Sequence, residues 1–266
     1  MLWNNGMGEM LRTSNNKIQR RFSRSAGRYD LFSGLHREIA DKLFAQVIQG
    51  TAPSVLLDVG CGTGYLTGML KCHFPQSQVI GLDFAQGMLK EAHSKYNNIF
   101  WVLADGNDLP FVDGCFDLVV SNLAYQWAGA LSCAFTQARR VLLTDGILAC
   151  TLFGYHTCRE LFQSLNEAHA KDLQFTRLPN EARVTEALAL SGFREIKLCK
   201  EQFKVEFKDL QELMGWIKSI GANNLSREGF LGREAITKAA GIYKAKFPYL
   251  QGVGATFEVI QVYAKK

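Results

Sequence analysis

Two carboxylates bracket a glycine turn in this chain. Asp58 opens Asp58-Val59-Gly60-Cys61-Gly62-Thr63-Gly64, and Asp83 closes the apolar run Val79-Ile80-Gly81-Leu82. Glycines in such a turn adopt φ values that side chains resist, and they let a ligand come close to the main chain. An acid at the end of the second strand is placed to accept hydrogen bonds from a ribose diol. Asp58 bears on the ligand's other end, because it repels a pyrophosphate at close range and attracts an ammonium group. The turn also departs from a dinucleotide fingerprint. Its third small residue falls one position early, at Gly64, and Tyr65 stands where helix–strand packing wants Gly or Ala.

A β/α alternation must position these groups. Leu35, Ile39, Leu43, Phe44, Val47 and Ile48 recur at helical spacing. Strands are expected at 55–59, from Val79, and at 99–103, 116–121 and 147–152, with helices near 65–73, 87–96 and 131–142. Pro75 breaks the first of those helices, and Thr144-Asp145-Gly146 turns the chain into strand five. Phe193–Leu198 and Thr256–Tyr263 read as closing strands. The pattern predicts an α/β fold: a doubly wound, mostly parallel, Rossmann-like sheet. Ligands in such sheets bind beyond the carboxyl ends of the strands. That rule selects Gly60, Cys61, Gly62 and Gly64, then Asp83 and Phe84, then Asp105 and Gly106, then Asn122 and Leu123.

Composition narrows the class. No run of eighteen apolar residues predicts a membrane span, and residues 1–16 lack the apolar core of a signal peptide. Seven cysteines without C-x-x-C spacing argue against a disulfide framework and a zinc site, and the five dispersed histidines predict no metal. Cys61 reads as a small structural residue of the turn. A cytoplasmic enzyme is expected. The net charge of +5 permits an acidic partner, while basic residues without interleaved aromatics make nucleic acid a poor one.

S-adenosylmethionine suits the two acids: it has no phosphates, and it carries a cationic sulfonium, an amino-acid tail and a ribose. The D-x-G-x-G-x-G string resembles motif I of the class I methyltransferases. In that family the acid after strand three meets the adenine amino group, a place that Asp105 matches. Phe84 and Met88 read equally as an adenine sandwich or as core. A narrower resemblance rests on Ser121-Asn122-Leu123-Ala124-Tyr125-Gln126-Trp127 and on Trp216-Ile217-Lys218-Ser219-Ile220-Gly221-Ala222-Asn223. Both are similar to strings of the malonyl-acyl-carrier-protein O-methyltransferases, which act early in biotin synthesis. Ala26-Gly27-Arg28-Tyr29-Asp30 and Asp108-Leu109-Pro110-Phe111 agree with the same family. Tyr125 departs from it, standing where an aliphatic residue is expected. The resemblance implies one methyltransferase domain over residues 1–266. Its parts would be a helical segment at about 15–50, a core sheet at about 54–152 and 193–266 with an antiparallel closing strand, and helical lid elements at about 153–190 and 208–248.

The implied reaction esterifies the free carboxylate of malonyl-acyl carrier protein, or of malonyl-coenzyme A. A malonyl carboxylate is ionised at neutral pH, so no general base is expected. The acceptor needs a cation and orienting groups instead. Arg159, in the helix after strand five, is the preferred cation, because a guanidinium grips a carboxylate in bidentate fashion; Arg28 is the second. Tyr29, Gln126 and Trp127 are the orienting candidates. Lys17, Arg20, Arg21 and Arg24, with Lys218, Arg227, Arg233 and Lys238, form a basic rim for an acidic carrier protein. Two other readings stay open: methylation of another small carboxylate or of a carbon acceptor, and a non-enzymatic regulator that binds S-adenosylmethionine.

Overall fold

The computed structural model describes residues 4–50, 52–169, 178–220 and 232–266, with side chains from residue 17 onward. They form two compact units, Met1–Leu152 with Glu181–Cys199 and Gln261–Lys266, and Phe153–Asn180 with Lys200–Ile260.

In the first unit the helices are α1 (Asn4–Phe32), α2 (Gly34–Ile48), α3 (Tyr65–His73), α4 (Gln86–Lys95) and α5 (Leu131–Val141). The strands are β1 (Val55–Val59), β2 (Gln78–Asp83), β3 (Phe100–Leu103), β4 (Phe116–Asn122) and β5 (Leu142–Phe153). The second unit holds α6 (Arg159–His169), while α7 (Glu181–Leu190) returns to the first. The long strands β6 (Arg194–Phe207) and β8 (Gly252–Lys265) are each divided between the units. α8 (Leu210–Ser219), α9 (Arg233–Lys246) and the short β7 (Pro248–Tyr249) complete the second. Strand order is β3-β2-β1-β4-β5-β8-β6, and β7 pairs antiparallel with β8.

Parallel pairing sets Asp58 opposite Gly81 on β2 and Val120 on β4. The chain leaves β1 toward β2 and β3 on one side, and β4 and β5 continue on the other. The crevice therefore opens at the carboxyl ends of β1 and β4, where the strand order reverses. Leu43, Val47, Leu56, Leu66, Leu70, Leu118 and Val120 share one core cluster beneath it. Each such fully buried aliphatic side chain contributes about 1.5–3 kcal/mol. Asp117 fixes the start of β1 by accepting from the amides of Ser54 (2.9 Å) and Val55 (2.8 Å). Arg140 ties down the loop after β3 by donating to the carbonyls of Leu109 and Phe111, both at 2.7 Å.

Close helix–strand packing does not need a small residue at position 65. Gly64 and Gly68 provide it: a Cβ on Gly68 would lie 2.5 Å from the Tyr96 ring, and one on Gly64 2.8 Å from Trp101.

In the second unit Phe207 and Phe257 both meet the Trp216 ring edge-on, at 5.8 and 5.2 Å. Glu160 is buried there, accepting from the amide of Thr256 at 3.0 Å and from its hydroxyl. Asp209 caps α8 by accepting from the amide of Glu212 at 2.9 Å.

Several boundaries differ from those expected. α1 extends back to Asn4, well before residue 15. β5 starts at Leu142 rather than Ile147, because Leu142 already pairs with Phe116; Thr144–Gly146 is an irregularity inside the strand, with Asp145 at φ 61°. Both closing strands are longer than expected. The stretch 153–190, expected as a lid element, is divided between the units. α7 belongs to the first because Val184, Ala187 and Leu188 are buried there and Gly192 accepts from Arg139 at 2.9 Å.

Candidate active site

Gly60, Gly62 and Gly64 take φ values of 74°, 54° and 84°, so the turn uses the conformations that only glycine adopts freely. Gly60 also needs its missing side chain for space, since a Cβ there would lie 2.2 Å from that of Ala124. The amides of Gly60 and Cys61 donate to the carbonyl of Leu82 at 2.7 and 3.0 Å. Asp83 then locks the turn to β2, accepting from Gly62 at 2.9 Å and from Ala85 at 2.8 Å. Burial pushes its carboxyl up to about 6, even with those amides opposing the shift.

Two cavities meet at this turn, sharing Tyr29, Gly60, Gly62 and Asn122. The first encloses about 770 Å³ of space, part of it open to solvent. Asp83, Phe84, Met88, Asp105, Leu123 and Trp127 line it, so its walls are largely apolar with two acids among them. The second, about 440 Å³, is ionic: Asp58, Asp30 and Arg37 line it, with Thr63 from the turn. Asp58 accepts from the Thr67 hydroxyl at 2.6 Å, and its other oxygen is buried without a partner among the described residues. Burial, with Asp83 adding to it, pushes Asp58 up to about 7. This pair of cavities suits a ligand with a flat ring and a diol at one end and a cationic amino-acid group at the other.

The other residues singled out from sequence fall as follows. Asn122 donates to the His36 carbonyl at 3.0 Å and accepts from the Thr151 hydroxyl at 2.8 Å, which holds it between the cavities. Leu123 sits at φ 53°, held by the hydrogen bond that its amide donates to the Thr151 hydroxyl at 3.1 Å; a bulky residue in that region costs about 1–3 kcal/mol, and such strain clusters at functional sites. Asp105 turns its carboxylate to the amide and side chain of Asn107, at 2.9 and 2.8 Å. Gly106 lies against Val59 and lines the first cavity. Cys61 borders the second, a buried thiol held neutral by its burial. Trp127 meets Phe22 edge-on at 5.7 Å.

Gln126 is not brought to either cavity. Its amide folds back onto the Leu123 carbonyl at 2.8 Å. Arg28 is exposed, 5.8 Å over the Phe32 ring. Arg159, in the second unit, turns its Nε to Glu160 at 3.4 Å, and its terminal nitrogens have no partner among the described residues. The Tyr125 ring borders the first cavity edge-on to Phe135, with its hydroxyl buried in the protein. Gly221, Ala222, Asn223 and Arg227 lie outside the described residues.

Beyond Tyr29, which lines both cavities as a site residue, sequence reasoning missed the contribution of α1 and α2. Phe22 joins Phe84 and Trp127, and Gln19 donates to the Phe84 carbonyl at 2.6 Å. Asp30 accepts from Thr63 of the glycine turn at 2.7 Å and pairs with Lys95 at 2.5 Å and Arg37 at 3.3 Å. Burial raises its carboxyl, but Lys95 and Thr63, then Arg37, outweigh that and leave it below the usual range. Asp30 within the Ala26–Asp30 string was the one available signal. Among the described residues no cluster of three His, Cys, Asp or Glu could hold a metal, and no helix is long and apolar enough to cross a membrane.

Residues 57–150 match the family model described as a methyltransferase domain. The chain is 32% identical over 263 residues to the malonyl-[acyl-carrier protein] O-methyltransferase of Geobacter sulfurreducens, covering 94% of this chain and 98% of that one. It is 34% identical over 258 residues to the protein of the same name from Hahella chejuensis, covering 94% and 90%. Among solved structures, the YcgJ protein of Bacillus subtilis matches with a TM-score of 0.62 at 15% identity, covering 85% of this chain and 98% of that one, a likeness of fold.

Proposed function

The chain belongs to the malonyl-[acyl-carrier protein] O-methyltransferase family of class I methyltransferases, and on that footing we propose that it methylates the free carboxylate of malonyl-acyl carrier protein. S-adenosylmethionine is the proposed donor. The observation that carries this reading is the junction of a largely apolar cavity that holds Asp83 and Asp105 with an ionic one across Gly60. The residues fit that donor. Asp83 suits a ribose diol, the walls of Phe84, Met88 and Leu123 suit a purine, and the unpartnered oxygen of Asp58 suits an ammonium.

When bound, S-adenosylmethionine supplies an electrophilic methyl on a sulfonium. The malonyl oxygen that attacks it is already ionised at neutral pH, so no proton has to be removed. Opposite charges cancel as the new bond forms, and water opposes that cancellation. Excluding water and aligning the acceptor should therefore supply most of the rate. In the first cavity Phe22, Phe84 and Trp127 provide the apolar cover, and Asn122, clamped by Thr151 and His36, provides a fixed amide. Esterification hides the malonyl charge, so that chain elongation in biotin synthesis accepts the group as a primer.

Arg159 is the proposed reader of the acceptor carboxylate. Glu160 takes only its Nε, leaving the fork of terminal nitrogens for a bidentate grip. A charged hydrogen bond contributes about 1.5–3 kcal/mol, so Arg159→Ala should raise the KM for malonyl-acyl carrier protein roughly 10- to 150-fold. The Kd for S-adenosylhomocysteine should stay within twofold. Steady-state kinetics over malonyl and acetyl carriers checks this; an unchanged malonyl KM would remove Arg159 from the role. For docking we propose the exposed stripe Lys17, Arg20, Arg24 and Arg28 on α1, complementary to an acidic carrier.

A further inference from the structure

We propose that Glu160 and Thr256 are positioning residues for the acceptor: they hold the Arg159 guanidinium with its terminal nitrogens free to take the malonyl carboxylate. This rests on the reading of Arg159 above and concerns the second unit alone. Arg159 begins α6, and the residues on both sides of it are bonded to one short stretch of β8. The amide of Gly154 donates to the Glu258 carbonyl at 2.8 Å, and that of Cys158 to the Thr256 carbonyl at 2.7 Å. The Thr157 hydroxyl donates to the Glu258 carbonyl and accepts from the Glu258 amide, both at 3.1 Å. On the far side of Arg159, Glu160 accepts from the amide and the hydroxyl of Thr256. Arg159 is thus an exposed side chain on a backbone fixed immediately before and after it.

Cys158 is buried and takes φ 56°, a conformation that a side chain resists and that persists only where surrounding bonds impose it. Strain of this kind gathers beside functional side chains, and Arg159 is the adjoining one. The Glu160 carboxylate points the same way. It is 5% exposed, and among the described residues Arg159 is its only cationic partner, through Nε at 3.4 Å. A buried carboxylate costs more in desolvation than a half-exposed ion pair returns. An uncharged amide would also accept from Thr256, so tying α6 to β8 does not require the charge. Holding Nε does. A carboxylate bound at that edge fixes the long arginine side chain, whose rotamer freedom otherwise opposes a bidentate grip by the terminal nitrogens.

A double-mutant cycle on kcat/KM for malonyl-acyl carrier protein tests the clamp. Glu160→Gln keeps the volume and an acceptor for Thr256, and it should lower kcat/KM roughly five- to tenfold, through KM rather than kcat. In an Arg159→Ala background the same change should act within about twofold, because the side chain it aims is gone. The Kd for S-adenosylhomocysteine should be unmoved in all three variants. Losses of equal size in the two backgrounds would overturn the proposal, since they would report a knot between α6 and β8 and not an aimed guanidinium. An unaltered KM for Glu160→Gln alone, with Arg159→Ala impaired, would overturn it too while leaving Arg159 as the reader. An unaltered KM for Arg159→Ala would contradict the reader itself, and the clamp with it. Thr256→Val, which removes only the hydroxyl bond to Glu160, carries the same cycle if Glu160→Gln prevents folding.

Discussion

Asp58→Asn is expected to make the free protein more heat-stable while weakening donor binding about a hundredfold, the worth of a charged hydrogen bond of roughly 3 kcal/mol. Asp58 is fully buried, Thr67 is its one hydrogen-bond partner among the described residues, and burial pushes its pKa up to about 7. A folded pKa above the unfolded one means that folding penalises the charged form. The penalty is absent below about pH 4, grows as the pH rises, and is complete above about 7. Asparagine keeps an oxygen for Thr67 and carries no charge. Its Tm gain should therefore be largest at pH 8, at about 2–4 °C per kcal/mol, and fade toward pH 4. The same linkage predicts that wild-type affinity for the donor falls as the pH drops below about 7, because binding must then expel the Asp58 proton. Differential scanning calorimetry at pH 8 and pH 5, with ligand titrations at both, checks these expectations. A lower Tm for the variant at pH 8, or retained affinity, would show that Asp58 is a structural acid.

Gly60→Ala should nearly abolish donor binding, and its neighbour Gly62→Ala should not. Both glycines have positive φ, so both variants carry the left-handed penalty of about 1–2 kcal/mol. Only Gly60 adds a collision, with its new Cβ 2.2 Å from that of Ala124; a Cβ on Gly62 meets nothing within 4 Å. Overpacking of that kind costs about 1–3 kcal/mol more and displaces Ala124 from the cavity wall. We expect a loss of affinity above a hundredfold for Gly60→Ala and below tenfold for Gly62→Ala. Adding Ala124→Gly should recover the part due to collision and leave the φ penalty. Equal effects of the two single variants on the Kd of S-adenosylhomocysteine would remove the Ala124 contact from the explanation.

The legible parts of this protein are those whose signal is local in the chain. Val55–Val59 and Tyr65–His73 emerge with the expected bounds, because an apolar run, a glycine turn and a helix ended before Pro75 are each set by neighbours in sequence. Asp58, Asp83 and Asn122 were readable because strand ends in a parallel sheet place them together. What sequence could not give depends on distant partners. Phe22 and Gln19 reach the site only because Gly87 lets α1 pack on α4, where a Cβ would lie 2.3 Å from the Ser23 carbonyl oxygen. Gln126 seemed a ligand group from its place after β4, but one backbone bond within the turn withdraws it. The start of β5 was misjudged because the Thr144–Gly146 irregularity looks, in sequence, like a turn that precedes a strand.

Transfer of a labelled methyl group to malonyl-acyl carrier protein tests the proposed function most directly. The purified protein would be incubated with methyl-labelled S-adenosylmethionine and, separately, malonyl-acyl carrier protein, malonyl-coenzyme A, acetyl-acyl carrier protein or free malonate, with mass spectrometry locating the label. The expected result is a methyl ester on the malonyl carboxylate of the carrier-bound substrate and none on the acetyl control. Label on the acetyl carrier, or no transfer to any malonyl substrate while the donor still binds, would contradict it.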